Sequence, residues 1–242
     1  MTNEARRKAR LLSGVMHMTQ LRLHGDLSFC RVDGHLIFLD IRNDRYFRLA
    51  ECLESALVTY LEGGDGPESS IRRLIDRKIL IDGSGDSDHA SSSFPKAPTR
   101  SAMEEAVHVE QTSISVVLDT LGIVCSTQLQ LKTRGLKKTL DGFLALRSQR
   151  ASRPSGSRHG ESLVLKAAAA FRCARLYVPI DTCCLLDSIA MVRFLARREL
   201  YADLVFGVTA DPFSAHCWAQ SGTTVLNDAL GHALAHTPIR VI

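Results

Sequence analysis

Residues 27 to 49, "LSFCRVDGHLIFLDIRNDRYFRL", alternate between short apolar and polar runs, broken at Asp33-Gly34 and Asn43-Asp44. A period of two interrupted by residues that tolerate left-handed backbone predicts a three-stranded antiparallel meander. The period then lengthens. Leu53, Leu57 and Leu61 space a helix over about Ala50 to Glu62, and Ile71, Leu74 and Ile75 space a second over Pro67 to Lys78, with "GGDG" between them. A short strand, "ILID", closes this unit.

The pattern lapses over "GSGDSDHASSSFPKAPTRS", residues 83 to 101, where Ser, Gly and Pro leave nothing to bury. Beyond it, helical spacing predicts helices over Ala102 to Ile123, Leu129 to Leu146 and Leu163 to Leu176, with a polar loop from Arg147 to Ser162. A helix over Cys183 to Arg198 then precedes three strands, Ala202 to Val208, Ser214 to Gln220 and Thr223 to Asp228, turning at Asp211-Pro212 and Ser221-Gly222. Helix followed by antiparallel strands makes the class α+β. The boundaries so read are a first domain over 21–83, a flexible linker over 84–101 and a second domain over 102–242.

Composition narrows the partners. The 242 residues are 45% hydrophobic with a net charge of +4, normal for a globular chain. The basic stretch Ala5 to Arg10 has no aromatic-interleaved continuation, which argues against nucleic acid as partner. The apolar run Leu11 to Met16 is too short for a signal peptide, and no run approaches the roughly 20 apolar residues that span a bilayer. The expectation is a cytoplasmic protein whose seven cysteines are free thiols.

One constellation can do chemistry. Thiol catalysis needs a nucleophile, a base and a group to orient the base. Cys184 opens a helix, His216 lies mid-strand and Asp228 ends the next strand, across a turn that brings the carboxylate back toward the histidine. A helix start, capped by Asp181 or Thr182, lowers a thiol's pKa, as does a neighbouring imidazolium. Helical phase puts Ser188, Met191, Val192 and Leu195 within about 80° of Cys184, so that Cys184 faces the fold. Cys183 lies toward the charged face of Arg193, Arg197 and Arg198. Asn227 is a second choice of orienter. A cysteine is otherwise a small hydrophobe, and the triad competes with that reading. His232 and His236 in "HALAH" lack the zincin glutamate, since Ala233 follows His232, and read as solvated C-terminal histidines. No metal and no cofactor is expected, and no Gly-rich phosphate loop is present.

The run Cys184 to Asp228 resembles the transglutaminase-like, papain-like cysteine peptidase core of lasso-peptide B proteins. Their pattern has Cys-Leu opening a helix, a run ending in arginines, a hydrophobic-Gly-Val strand end, Phe-x-Ala-His-Ala-Trp and then Asn-Asp. By that resemblance Cys184 is the nucleophile, His216 the base and Asp228 the third member. The chain makes three departures: Leu186-Asp187 replaces Pro-Arg, Glu199 replaces Gly, and Cys217 replaces Ala.

Residues 21 to 83 resemble the PqqD-like leader-recognition element, a small winged-helix-like domain of meander plus helices. Asp40, Tyr46 and Leu49 match its recurring Asp, Tyr and Leu, and the resemblance implies that a leader adds as a strand there. Arg42, Arg45 and Arg48 give that edge a positive field suited to an acidic leader. Solvated arginines on an edge strand explain the same pattern. Together the two resemblances imply a leader peptidase acting on a precursor peptide beside an asparagine-synthetase-type lasso cyclase. A transglutaminase-like ligase with the same triad, and a leader-binding module without catalysis, are the alternatives.

Overall fold

The computed structural model describes residues 21–83, 96–105, 113–150 and 158–242. The basic stretch Ala5 to Arg10 and most of the Ser-rich segment lie outside them. The elements run β1 (Leu21–Leu23), β2 (Leu27–Val32), β3 (His35–Asp40), β4 (Arg45–Arg48), α1 (Glu51–Leu61), α2 (Glu68–Asp76), β5 (Leu80–Asp82) and β6 (Arg100–Ser101). They continue with α3 (Ile114–Arg150), α4 (Arg158–Arg175), α5 (Cys184–Ala196), β7 (Asp203–Ala210), β8 (Phe213–Ser221), β9 (Thr224–Val225), α6 (Leu230–Leu234) and β10 (Thr237–Val241). The class is mixed α and β, as the change of hydrophobic period predicts.

Two compact units emerge, and they divide the chain differently from its composition. One holds β1, α1, α2 and β5; the other holds the meander β2–β4 together with everything from β6 onward. In the first, β1 pairs antiparallel with β5, and Tyr60 on α1 donates to Leu21 O at 3.2 Å while accepting from Leu21 N at 2.9 Å. Its buried apolar residues include Leu53, Leu57, Leu74 and Leu80.

In the second unit the meander is antiparallel in the order β2-β3-β4. Phe29, Phe38 and Phe47 are direct cross-strand partners on one face, with centroids 5.5 and 5.1 Å apart. On the other face Ile37, Leu39 and Ile41 join the same apolar core as Phe171, Leu186, Phe194 and Phe206. A larger sheet has the order β10-β7-β8-β9-β6. The end of the segment read as linker is therefore built in, because Arg100 and Ser101 pair parallel with Thr224 and Val225.

That pairing also corrects the helix predicted from Ala102. Ala102 N donates to Val225 O at 2.8 Å and residues 102–105 form a turn, so the chain is committed to the sheet edge. The long helix begins at Ile114 and is two segments joined at Gly135, whose φ of 76° is outside the helical region. By length and composition α3 is apolar enough to cross a membrane, contrary to the sequence reading, yet it packs Ile123, Val124, Leu136 and Leu140 into the core. The arginines expected on a solvated face tie α5 to α3. Arg193 donates to Thr127 Oγ1 at 2.7 Å, and Arg197 and Arg198 meet Asp119 at 2.6 and 3.0 Å. Glu199, where the resembled pattern has Gly, sits at φ 57° in the left-handed region that favours glycine.

Candidate active site

Helix α5 begins at Cys184, with Cys183 extended at the N-cap. Neither Asp181 nor Thr182 supplies the cap, as the sequence had suggested; no side chain of the N-cap residue does. Asp187 Oδ2 instead accepts from Cys183 N at 3.2 Å, one turn in. Its other oxygen accepts from Arg175 Nε at 2.7 Å, and the same guanidinium donates to the carbonyls of Val178, Ile180 and Asp181. The buried Arg175 thus fixes the approach to the helix, and Asp187, one of the departures from the resembled pattern, is its counter-ion.

Ser188, one turn beyond Cys184 and fully buried, donates to Cys217 O at 2.9 Å and accepts from Asn227 Nδ2 at 2.8 Å. Asn227 Oδ1 accepts from Ala219 N at 2.8 Å. This chain of bonds pins α5 to β8 and to the turn after β9. Asn227 is spent on it, which leaves the orienting role to its neighbour.

Asp228 Oδ2 lies 2.5 Å from His216 Nε2. A carboxylate only accepts, so Nε2 carries the proton and Nδ1 keeps its lone pair. The backbone of Asp228 is propped from behind by residues too remote to be seen in the sequence. Ser101 donates to Asp228 O at 2.5 Å, and Arg172 on α4 donates to Leu226 O at 2.7 Å and Ala102 O at 2.8 Å.

Cys184 is exposed at the helix tip, where the backbone N–H groups of Cys217 and Leu185 act to lower its pKa. That places the thiol against β8 at the residue following His216. Partial burial, with Cys183 adding to it, raises the thiol above its ordinary value despite those two N–H groups. Burial also lowers His216, reinforced by His232 and His236 and opposed by Asp228. Both shifts favour the uncharged forms, thiol and neutral imidazole, over the thiolate–imidazolium pair that the helix start suggested. An uncharged pair works by general-base deprotonation during attack. Cys217 is fully buried with a strongly raised pKa, a small hydrophobe in the core.

His232 and His236, read from the sequence as solvated, are gathered at this site. His232 Nδ1 lies 3.0 Å from Asp228 Oδ2, and the His216 ring centroid is 4.4 Å from that of His232 and 5.1 Å from that of His236. His236 Nδ1 donates to His232 O at 2.9 Å, and its Nε2 lies 3.4 Å from Ser214 Oγ. Room for these rings comes from Gly207, opposite His216 on β7. A Cβ there would come within 2.8 Å of the Trp218 ring and 2.9 Å of His236 Cβ.

The residues expected to hold a leader divide. Asp40 is buried and accepts from Arg42 N, Asn43 N, Asn43 Nδ2 and Arg45 Nε, so its carboxylate closes the β3–β4 turn. Burial alone would raise it, but the hydrogen bonds from Asn43 and Arg45 hold it below the usual carboxylate value. Arg42, Arg45 and Arg48 are exposed and Leu49 is buried. Tyr46 faces the core of its unit, with its ring 5.7 Å from Phe213 at the start of β8. Burial raises its phenol most, with Cys217 and Cys184 contributing, which puts it in the electrostatic neighbourhood of the thiol.

With these groups in place, the comparisons with known proteins bear on the same region. Residues 127–241 match the transglutaminase-like superfamily. This stretch, just under half of the chain, carries Cys184, His216 and Asp228 and is similar to a superfamily that includes cysteine peptidases and acyltransferases. A stretch of 46 residues is 46% identical to the microcin J25-processing protein McjB of Escherichia coli, covering 19% of this chain and 22% of that protein's length. No solved structure gave a significant match.

Proposed function

We propose that this protein is a cytoplasmic leader peptidase of lasso-peptide maturation, cleaving a ribosomally made precursor at its leader–core junction. The observation that carries the reading is the His216–Asp228 pair on the strand whose next residue, Cys217, lies in the electrostatic neighbourhood of the Cys184 thiol. The relative named for microcin processing supports the substrate class. In this reading His216 Nδ1 takes the Cys184 proton as sulfur attacks the scissile carbonyl, and backbone N–H groups at the helix start receive the oxyanion. The imidazolium returns its proton to the leaving amine, and water activated by His216 then hydrolyses the thioester. Asp228 holds the imidazole tautomer throughout.

The leader adds along β4, which pairs only with β3 among the described residues and exposes Arg42, Arg45 and Arg48. Holding it there raises the effective concentration of the scissile bond at the thiol. The released core passes to an asparagine-synthetase-type cyclase as partner. The test is Cys184→Ala with a precursor encoded beside this chain: cleavage disappears while leader affinity persists. Cleavage that survives the substitution leaves only a binding module, and products lacking the mass of one added water indicate a ligase instead.

A further inference from the structure

His216 and Asp228 suffice for a general base and its orienter; His232 is surplus to that chemistry. It nevertheless brings a second imidazole nitrogen onto the same carboxylate: His216 Nε2 stands 2.5 Å from Asp228 Oδ2, and His232 Nδ1 stands 3.0 Å from Oδ2 and 3.2 Å from its hydrogen-bond partner Oδ1. One ligand atom from each of His216, Asp228 and His232 lies within 4.8 Å of the others. Two imidazoles and one carboxylate form a donor set suited to a borderline divalent ion such as Zn²⁺. The set is held from outside: Ser101 bonds the Asp228 carbonyl, and His236 bonds the His232 carbonyl. Such outer contacts orient metal ligands. His232 is also the most open of the three, with 55% of its side chain exposed against 11% and 17% for the others, which provides an entry route.

The geometry points to a binding site for a zinc-class divalent cation at His216, Asp228 and His232, whose occupation switches the peptidase off. As the ion binds, the two hydrogen bonds to Asp228 are replaced by coordinate bonds from Nε2, Nδ1 and a carboxylate oxygen. Each imidazole moves its proton to its other nitrogen, and water completes the coordination. His216 then carries its proton on Nδ1 and has no lone pair for the Cys184 thiol. No electrons are transferred, and removal of the ion restores the base. The inhibitory half of this inference rests on the leader-peptidase reading; the binding half does not.

The two halves are tested separately on the full chain, free of affinity tags and chelators. Calorimetric titration with Zn²⁺ alone is expected to give one site per chain, weakened by more than about tenfold in His232→Ala and retained in Cys184→Ser. Co²⁺ as a spectroscopic probe is expected to show nitrogen and oxygen ligation without a thiolate charge-transfer band. Binding that ignores His232→Ala, or that is lost in Cys184→Ser, overturns the site. Precursor cleavage should fall as Zn²⁺ fills that site and recover with EDTA. Histidine-dependent binding that leaves cleavage untouched overturns the switch, whereas a wild-type chain that cleaves nothing even in EDTA tells against the peptidase reading itself.

Discussion

At the scale of single residues, the functional state of the site is set by burial acting against charge. His216 has a carboxylate at 2.5 Å, which by itself favours the imidazolium, yet burial outweighs it and His232 and His236 add to the effect. The folded pKa therefore lies below the ordinary histidine value of about 6.5. A base must be neutral to accept a proton, so activity is present above that pKa and lost as pH falls through it. Measured in EDTA, the acid limb of kcat/KM should have its midpoint below about 6.5, and His236→Gln, which removes one of the neighbours that lower it, should move it upward. A midpoint unaffected by His236→Gln tells against this account. Cys184 is the complementary case. A helix start suggests a lowered thiol, but partial burial beside a second thiol outweighs it. The charge state of the thiol thus depends on surroundings that no residue in "DTCCLLDS" carries by itself.

At the scale of elements, α5, β8 and the turn after β9 are three rigid pieces that must meet to a fraction of an ångström. Ser188 makes the central bond of the network that joins them. Ser188→Ala leaves Cys217 O and Asn227 Nδ2 without that partner in a buried place, and should lower stability by about 1–3 kcal/mol in urea unfolding. It should also cost about 100-fold in cleavage, because misplacement by about 1 Å is expensive in an oriented reaction. Loss of stability without loss of rate limits Ser188 to a packing role. The helix itself was legible from its spacing, and so was the hairpin that returns Asp228 to His216, since the turn and the two strands are local. The bracing of that turn was not. Ser101 is separated from Asp228 by 127 positions and Arg172 from Leu226 by 54, distances over which periodicity carries no signal.

At the scale of the whole molecule, composition and contacts disagree about where the second domain begins. The Ser-rich segment suggests that 102–242 stands alone, whereas Ile37, Leu39 and Ile41 of the meander share one core with α5 and Tyr46 packs on β8. A chain of residues 102–242 alone loses those side chains and also Arg100 and Ser101 of the sheet edge. It should bind ANS, lack near-UV dichroism and unfold without cooperativity, while the full chain unfolds sharply. Cooperative unfolding of the shorter chain would restore the boundary drawn from composition. A leader strand added at β4 would then lie on an element of the catalytic unit, so that recognition and chemistry share one core.

By itself the sequence determined the local features of this protein: the meander, the helix opened by Cys184, the hairpin and the identity of the His-Asp pair. Each follows from side-chain periodicity and turn chemistry within a few dozen residues. The tertiary structure alone decided the rest. It carried β6 into the sheet, and it brought His232 and His236 back over β8 against the gap left by Gly207. It also decided that the thiol and the base favour their uncharged forms, because desolvation depends on the atoms that surround a group in space and not on those beside it in the chain.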